Sequence, residues 1–164
     1  MFRTFWKIIF FIAGLVFLAL AVNGFFSRQL QEAGNLIQPA RLKALTVFHD
    51  FGIIPMVVGK KTHSFGINNV SQESVEIGKF YTSCRCVTAS LIIDGKKVSQ
   101  TDFLGGATAG QKEIILPNQT AIVEVVFDPA AEGPSGTGLR ENFVYLEDKG
   151  GVSLKLSVRA LVKL

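Results

Sequence analysis

The sequence predicts an all-β fold, a seven-stranded, two-sheet β-sandwich preceded by a single N-terminal transmembrane helix. Three observations carry this reading. Apolar residues form an almost unbroken run before residue 27 and switch to a period of two beyond residue 45. The short apolar stretches of that second part are separated by Gly, Asn, Asp or Pro at intervals close to those of sandwich proteins. No stretch beyond residue 45 has the spacing of an amphipathic helix.

The chain has 164 residues, enough for one ordinary domain and too few for two with a linker. Of the first 26 residues 20 are apolar, so the hydrophobic excess belongs to one end. The net charge is +4, from 17 Lys and Arg against 13 Asp and Glu, and Arg3 and Lys7 flank the apolar run. Without a block of like charge there is no basic arm, and no nucleic-acid partner is expected. A polytopic transporter and a disordered chain are both excluded by this distribution.

Residues 1–26 read as the membrane anchor. The 19 residues from Ile8 to Phe26 contain one strongly polar side chain, Asn23. As a helix they span about 28 Å, the thickness of a bilayer core. Arg3 and Lys7 place the amino terminus in the cytoplasm and the rest of the chain on the far side. Ala19-Leu20-Ala21 also fits the small-x-small pattern of a cleaved secretory signal, but apolar character continues past it through Phe25 and Phe26. The expected partner of residues 8–26 is therefore the lipid bilayer. Residues 27–45 are polar and mixed, broken by Gly34 and Pro39, and read as a stalk from which Leu36, Ile37 or Leu42 could dock on a partner or on the domain.

Residues 46–164 form the sandwich. Thr120–Asp128 places Ala121, Val123, Val125 and Phe127 on one face, and Leu154, Leu156, Val158 and Ala160 alternate with Ser153, Lys155, Ser157 and Arg159. Further strands are expected near 46–51, 62–69, 74–82, 86–94 and 140–147. Ser99–Gln111, with Gly105, Gly106 and Gly110, reads as a long loop in place of a regular hairpin.

Five short motifs follow one another along this part: Phe48-His49-Asp50-Phe51-Gly52, His63-Ser64-Phe65-Gly66-Ile67-Asn68-Asn69, Ser83-Cys84-Arg85-Cys86-Val87-Thr88, Leu116-Pro117-Asn118-Gln119 and Val125-Val126-Phe127-Asp128-Pro129. Together they resemble the bacterial DUF1573 family, which is similar to the immunoglobulin-like domains grouped with major sperm protein and the ASH domains. The resemblance covers roughly residues 46 to 162. It implies an Ig-like sandwich in the bacterial envelope, on the periplasmic or extracellular side of the cytoplasmic membrane, and it supplies no activity. Arg85 stands where the family has Gly, and Val87 separates Cys86 from Thr88.

Read physically, most of these residues are structural. Phe51 and Phe65 are core candidates, Gly52 suits a turn or bulge, Asn68 or Asn69 can cap a turn, and Pro129 ends a strand. Cys84 and Cys86 carry the chemistry. In a regular strand their Cα atoms would lie about 6.6 to 7 Å apart, at or past the limit for a disulfide, so a bond between them needs a bend. Three roles stay open: a structural disulfide or buried pair, a thiol–redox pair, and a soft-ion site such as one for Cu(I), with His63, His49 or Met56 as third ligand. No catalytic template is present: there is no H-E-x-x-H, no Walker loop and no Ser-His-Asp set in recognisable context. The expected function is not enzymatic. It is that of an anchored interaction or assembly module bound to an envelope or membrane protein, with copper binding or redox chemistry as the alternative.

Overall fold

The computed structural model describes residues 40–101 and 113–164. The anchor at 8–26, residues 27–39 of the stalk and the 102–111 part of the expected loop lie outside the described residues. Among the described residues no helix is long and apolar enough to cross a membrane.

The described chain is all-β apart from two short 3-10 turns, Met56–Val58 and Gly133–Gly136. In order the strands are β1 (Leu42–Ala44), β2 (Phe48–Pro55), β3 (Lys61–Asn69), β4 (Val75–Ile77), β5 (Lys79–Thr82), β6 (Val87–Ile93), β7 (Lys96–Thr101), β8 (Glu113–Ile115), β9 (Thr120–Phe127), β10 (Gly138–Asp148) and β11 (Gly151–Lys163). They form a five-stranded sheet, β1-β3-β9-β6-β7, a four-stranded sheet, β2-β11-β10-β5, and a small pair, β4-β8. Alternation builds the interior. Phe65, Ile67, Val87, Leu91, Val123, Val125 and Phe127 from the larger sheet share one buried cluster with Val144, Leu146, Leu156, Val158, Ala160 and Val162 from the other.

Eleven strands stand among the described residues where seven were expected, and each difference has a local cause. The expected strand 74–82 breaks at Gly78, leaving β4 to pair with β8 and β5 with β10. The expected loop begins too early, because Ser99–Thr101 belong to β7. That strand pairs with β6 through Asp94-Gly95, both with positive φ (51° and 74°), the geometry of a tight type I′ hairpin. Residues 42–44, inside the expected stalk, form β1 against β3, and Leu42 is only 1 % exposed. Leu42 thus docks on the domain itself.

The amino-terminal strand therefore switches sheets, β1 lying at the edge of the larger sheet and β2 running parallel to β11 in the smaller one. The β2–β11 register slips between Arg159 and Leu161, and Gly52, at φ 73°, sits at this bulge and donates its N–H to Asp50 Oδ1 at 2.8 Å.

Asn69, fully buried, joins β3 to the small pair. Its Nδ2 donates to the carbonyls of Ile115 (2.9 Å) and Glu73 (2.8 Å), and its Oδ1 accepts from the Ser71 N–H (3.0 Å) and hydroxyl (2.7 Å). Truncating it leaves the Ile115 carbonyl without this donor in a dry site. Asn69→Ala is expected to lower unfolding free energy by about 2–3 kcal/mol in urea denaturation. A change below about 0.5 kcal/mol would show that this network is dispensable.

Candidate functional site

Cys84 and Cys86 lie in the tight connection that carries the chain from β5 in one sheet to β6 in the other. The bend required of a one-residue spacing is present: the Cα atoms are 5.2 Å apart and the sulfurs form a disulfide. The turn is held from both sides. The Ser83 N–H donates to the Phe143 carbonyl and the Phe143 N–H returns a bond to Ser83 Oγ, each at 2.9 Å. The Asp128 N–H donates to the Cys86 carbonyl at 2.8 Å, so the Phe-Asp-Pro motif at the end of β9 grips the cysteine motif directly. Buried Thr82 shares its hydroxyl proton between the carbonyls of Cys84 and Val87, both 3.1 Å away. Arg85 is exposed, and the described non-glycine residues with positive φ are Asp94 and Asn118, so the turn does not need the glycine that the family pattern has here.

The side chain that joins the two sulfurs is one that spacing did not reveal. Cys84, Cys86 and Glu132 are the described group of His, Cys, Asp or Glu residues whose ligand atoms fall within 4.8 Å of one another. Glu132 Oε1 is 3.5 Å from Cys84 Sγ, while its Oε2 is 3.0 Å from Arg140 Nη2. Arg140 in turn donates to the carbonyls of Gly136 (2.9 Å) and Ser135 (2.5 Å). The Cys86 backbone N–H donates to Cys84 Sγ at 3.0 Å. In the bonded state neither sulfur has the thiolate charge a soft ion requires, so metal binding by this group would require prior reduction.

His49 and His63, considered as third ligands, are not part of this group. His49 on β2 stacks on His63 on β3, with ring centroids 3.7 Å apart and planes 7° from parallel. Phe51 meets His49 edge-on and Phe65 meets His63 edge-on, each at 4.6 Å. The pair thus bridges the sheets at a partly buried site, joining the first two motifs. Met56 packs against the core just after β2. Burial first, and facing His49 second, push the His63 pKa below its ordinary 6.5.

The outward face of the four-stranded sheet is the third notable feature. Registers β5–β10–β11–β2 place its side chains in rows: Tyr81, Tyr145 and Lys155; Phe143, Ser157 and Phe48; Glu141, Arg159 and Asp50; Leu139, Leu161 and Ile53. Tyr81 and Tyr145 stack at 5.0 Å, and Lys155 Nζ caps the Phe143 ring at 3.7 Å. Arg159 reaches Asp50 Oδ2 at 2.7 Å and lies 5.0 Å over the Phe48 ring. The Arg159 hydrogen bonds, with a second contribution from the Gly52 N–H, hold Asp50 below its ordinary pKa of 3.8. Tyr81 donates to Glu147 Oε1 at 2.5 Å, which raises the phenol to about 12 and lowers the carboxyl. Leu139 is 68 % and Ile53 62 % exposed.

Two outcomes are expected. A bond across a three-residue loop restrains the unfolded chain by only about 1.6 kcal/mol in the chain-entropy model, so Cys84→Ser/Cys86→Ser is expected to lower the melting temperature by no more than about 5–10 °C. Because the folded protein disfavours charge on His63, its contribution to stability is complete above about pH 6.5 and is lost as pH falls through the lowered folded value. His63→Phe should flatten the acid limb of melting temperature against pH, and an unchanged limb would assign that limb to other groups.

No family model matches the sequence, and no curated protein matches it. In fold the chain is similar to a protein of unknown function from Porphyromonas gingivalis, with 13 % identity and a TM-score of 0.52 over 76 % of this chain and 49 % of that one. Other matches are the secreted serine protease VesC of Vibrio cholerae (11 % identity, TM-score 0.47, 76 % of this chain and 24 % of that one) and the ASH / PapD-like domain 7 of human CEP192 (11 % identity, TM-score 0.44, 77 % and 89 %). The chain thus spans about half the length of the Porphyromonas protein, and the likeness is one of fold alone.

Proposed function

We propose that this protein is a membrane-anchored, extracytoplasmic Ig-like β-sandwich that serves as an interaction or assembly module of a bacterial envelope complex, with residues 8–26 in the bilayer. The observation that carries the interaction role is the outward face of the four-stranded sheet. A solvated sheet face is ordinarily polar, whereas this one sets two rows rich in aromatic rings and one aliphatic row around a single charged row. Tyr81, Tyr145, Phe143 and Phe48 supply broad rings at low entropic cost, and Lys155, Arg159, Glu141 and Asp50 supply register. The ordered motifs that resemble DUF1573 support the envelope setting, and the apolar run with Arg3 and Lys7 before it supports the anchor.

A photo-crosslinking residue placed at Leu139 in the full-length, membrane-bound protein tests this. A discrete adduct is expected from Leu139 and none from exposed Lys97 on the other sheet. The adduct should disappear with Phe48→Glu/Ile53→Glu while the melting temperature stays within a few degrees, since these are outward positions. Equal capture from both positions, or none from Leu139, would overturn the assignment.

A further inference from the structure

The turn between β5 and β6 also has the parts of a thiol–disulfide exchange site. We infer that an external dithiol reversibly opens the Cys84–Cys86 bond, with Cys84 as the sulfur that leaves and the Glu132 carboxylate as the group that relays a proton to it from water. This inference stands on residues separate from the proposed docking face.

Three observations converge on it. The bond closes a loop of three residues, and hydrogen bonds from Ser83, Thr82 and Asp128 hold the same turn without it, so holding the fold does not account for the disulfide. The two sulfurs are also unequal. The Cys86 N–H points at Cys84 Sγ from 3.0 Å and would stabilise negative charge there when the bond opens. Glu132 Oε1 lies 3.5 Å from that same sulfur, in position to relay a proton to it from water. Lastly, the carboxylate is fixed yet open to water: Arg140 holds its other oxygen at 3.0 Å, and the Glu132 side chain is 39 % exposed beside cysteines that are almost buried. Glu132 therefore faces water on one side and the sulfurs, just beneath it, on the other.

The step balances with a dithiol as reductant. One of its thiolates attacks Cys86 Sγ, a new S–S bond forms, the Cys84–Cys86 bond breaks, and the electron pair leaves on Cys84 Sγ, which takes a proton that comes from water and is relayed by the Glu132 carboxylate. The second thiolate of the donor then attacks its own sulfur in the mixed disulfide and releases Cys86, which is protonated from solvent. The donor ends as a disulfide, oxidised by two electrons, and the protein as a dithiol carrying two protons. Run backwards with a more oxidising disulfide, the same path closes the bond.

The test is the rate at which dithiothreitol reduces the full-length folded protein between pH 5 and 9, read by alkylation and intact mass, with circular dichroism as the check on fold. Reduction is expected without unfolding. Glu132→Gln is expected to slow it by at least about tenfold at neutral pH and to change the shape of the pH profile. Glu132→Asp, which keeps the charge on a shorter arm, should fall between the two and serves if the Gln variant is unstable. The inference is overturned if the bond resists dithiothreitol until the protein unfolds, or if the Glu132 variants follow the wild-type rate and pH profile.

Discussion

Everything else in this domain depends on the dry layer between its two main sheets. Period-two alternation along β3, β6 and β9 faces that along β10 and β11, and each fully buried Val, Leu or Phe contributes about 1.5–3 kcal/mol. The layer fixes register. A slip of one residue in β9 would turn Val123, Val125 and Phe127 to solvent and bring Glu124 inward, so side-chain placement elsewhere inherits the precision of this packing. The rows on the outward face of the smaller sheet are the other half of the same alternation: burying Val144, Leu146, Leu156 and Val158 leaves Phe143, Tyr145, Lys155 and Ser157 pointing out.

The connections between sheets are where short motifs earn a physical meaning. The first two motifs meet in the His49–His63 stack, and the third and fifth meet where the Asp128 N–H reaches the Cys86 carbonyl. In the fourth, Pro117-Asn118 forms a turn with positive φ at Asn118, closed by the Gln119 N–H on the Leu116 carbonyl at 3.0 Å. Asn69, the last residue of the second motif, binds the carbonyl of Ile115 just before that turn. Motifs far apart in the chain thus come together in pairs at crossing points of the fold.

The strongly alternating strands were legible from the residues alone. Thr120–Asp128 and Leu154–Ala160 appear as β9 and the middle of β11, because one buried face imposes a clear period. Lys96–Thr101 was not legible: it holds one large apolar residue, Val98, and the decisive signal was the Asp94-Gly95 turn before it. β1 is three residues long, too short to display any period. At the candidate site, the need for a bend between Cys84 and Cys86 followed from strand geometry, but Glu132 did not. It stands just before a 3-10 turn, 46 residues after Cys86, and only the tertiary route from β9 to β10 sets it beside the sulfurs.

The sheet switch between β1 and β2 has a mechanical consequence. β2 lies parallel to β11, the last strand, with six register pairs between Ser157–Phe48 and Lys163–Pro55. Tension entering near residue 40 and leaving through Leu164 would run along both strands in opposite senses, loading their hydrogen bonds in shear so that they resist together instead of opening one at a time. Any pull between those two points would therefore meet the β2–β11 pairing in shear.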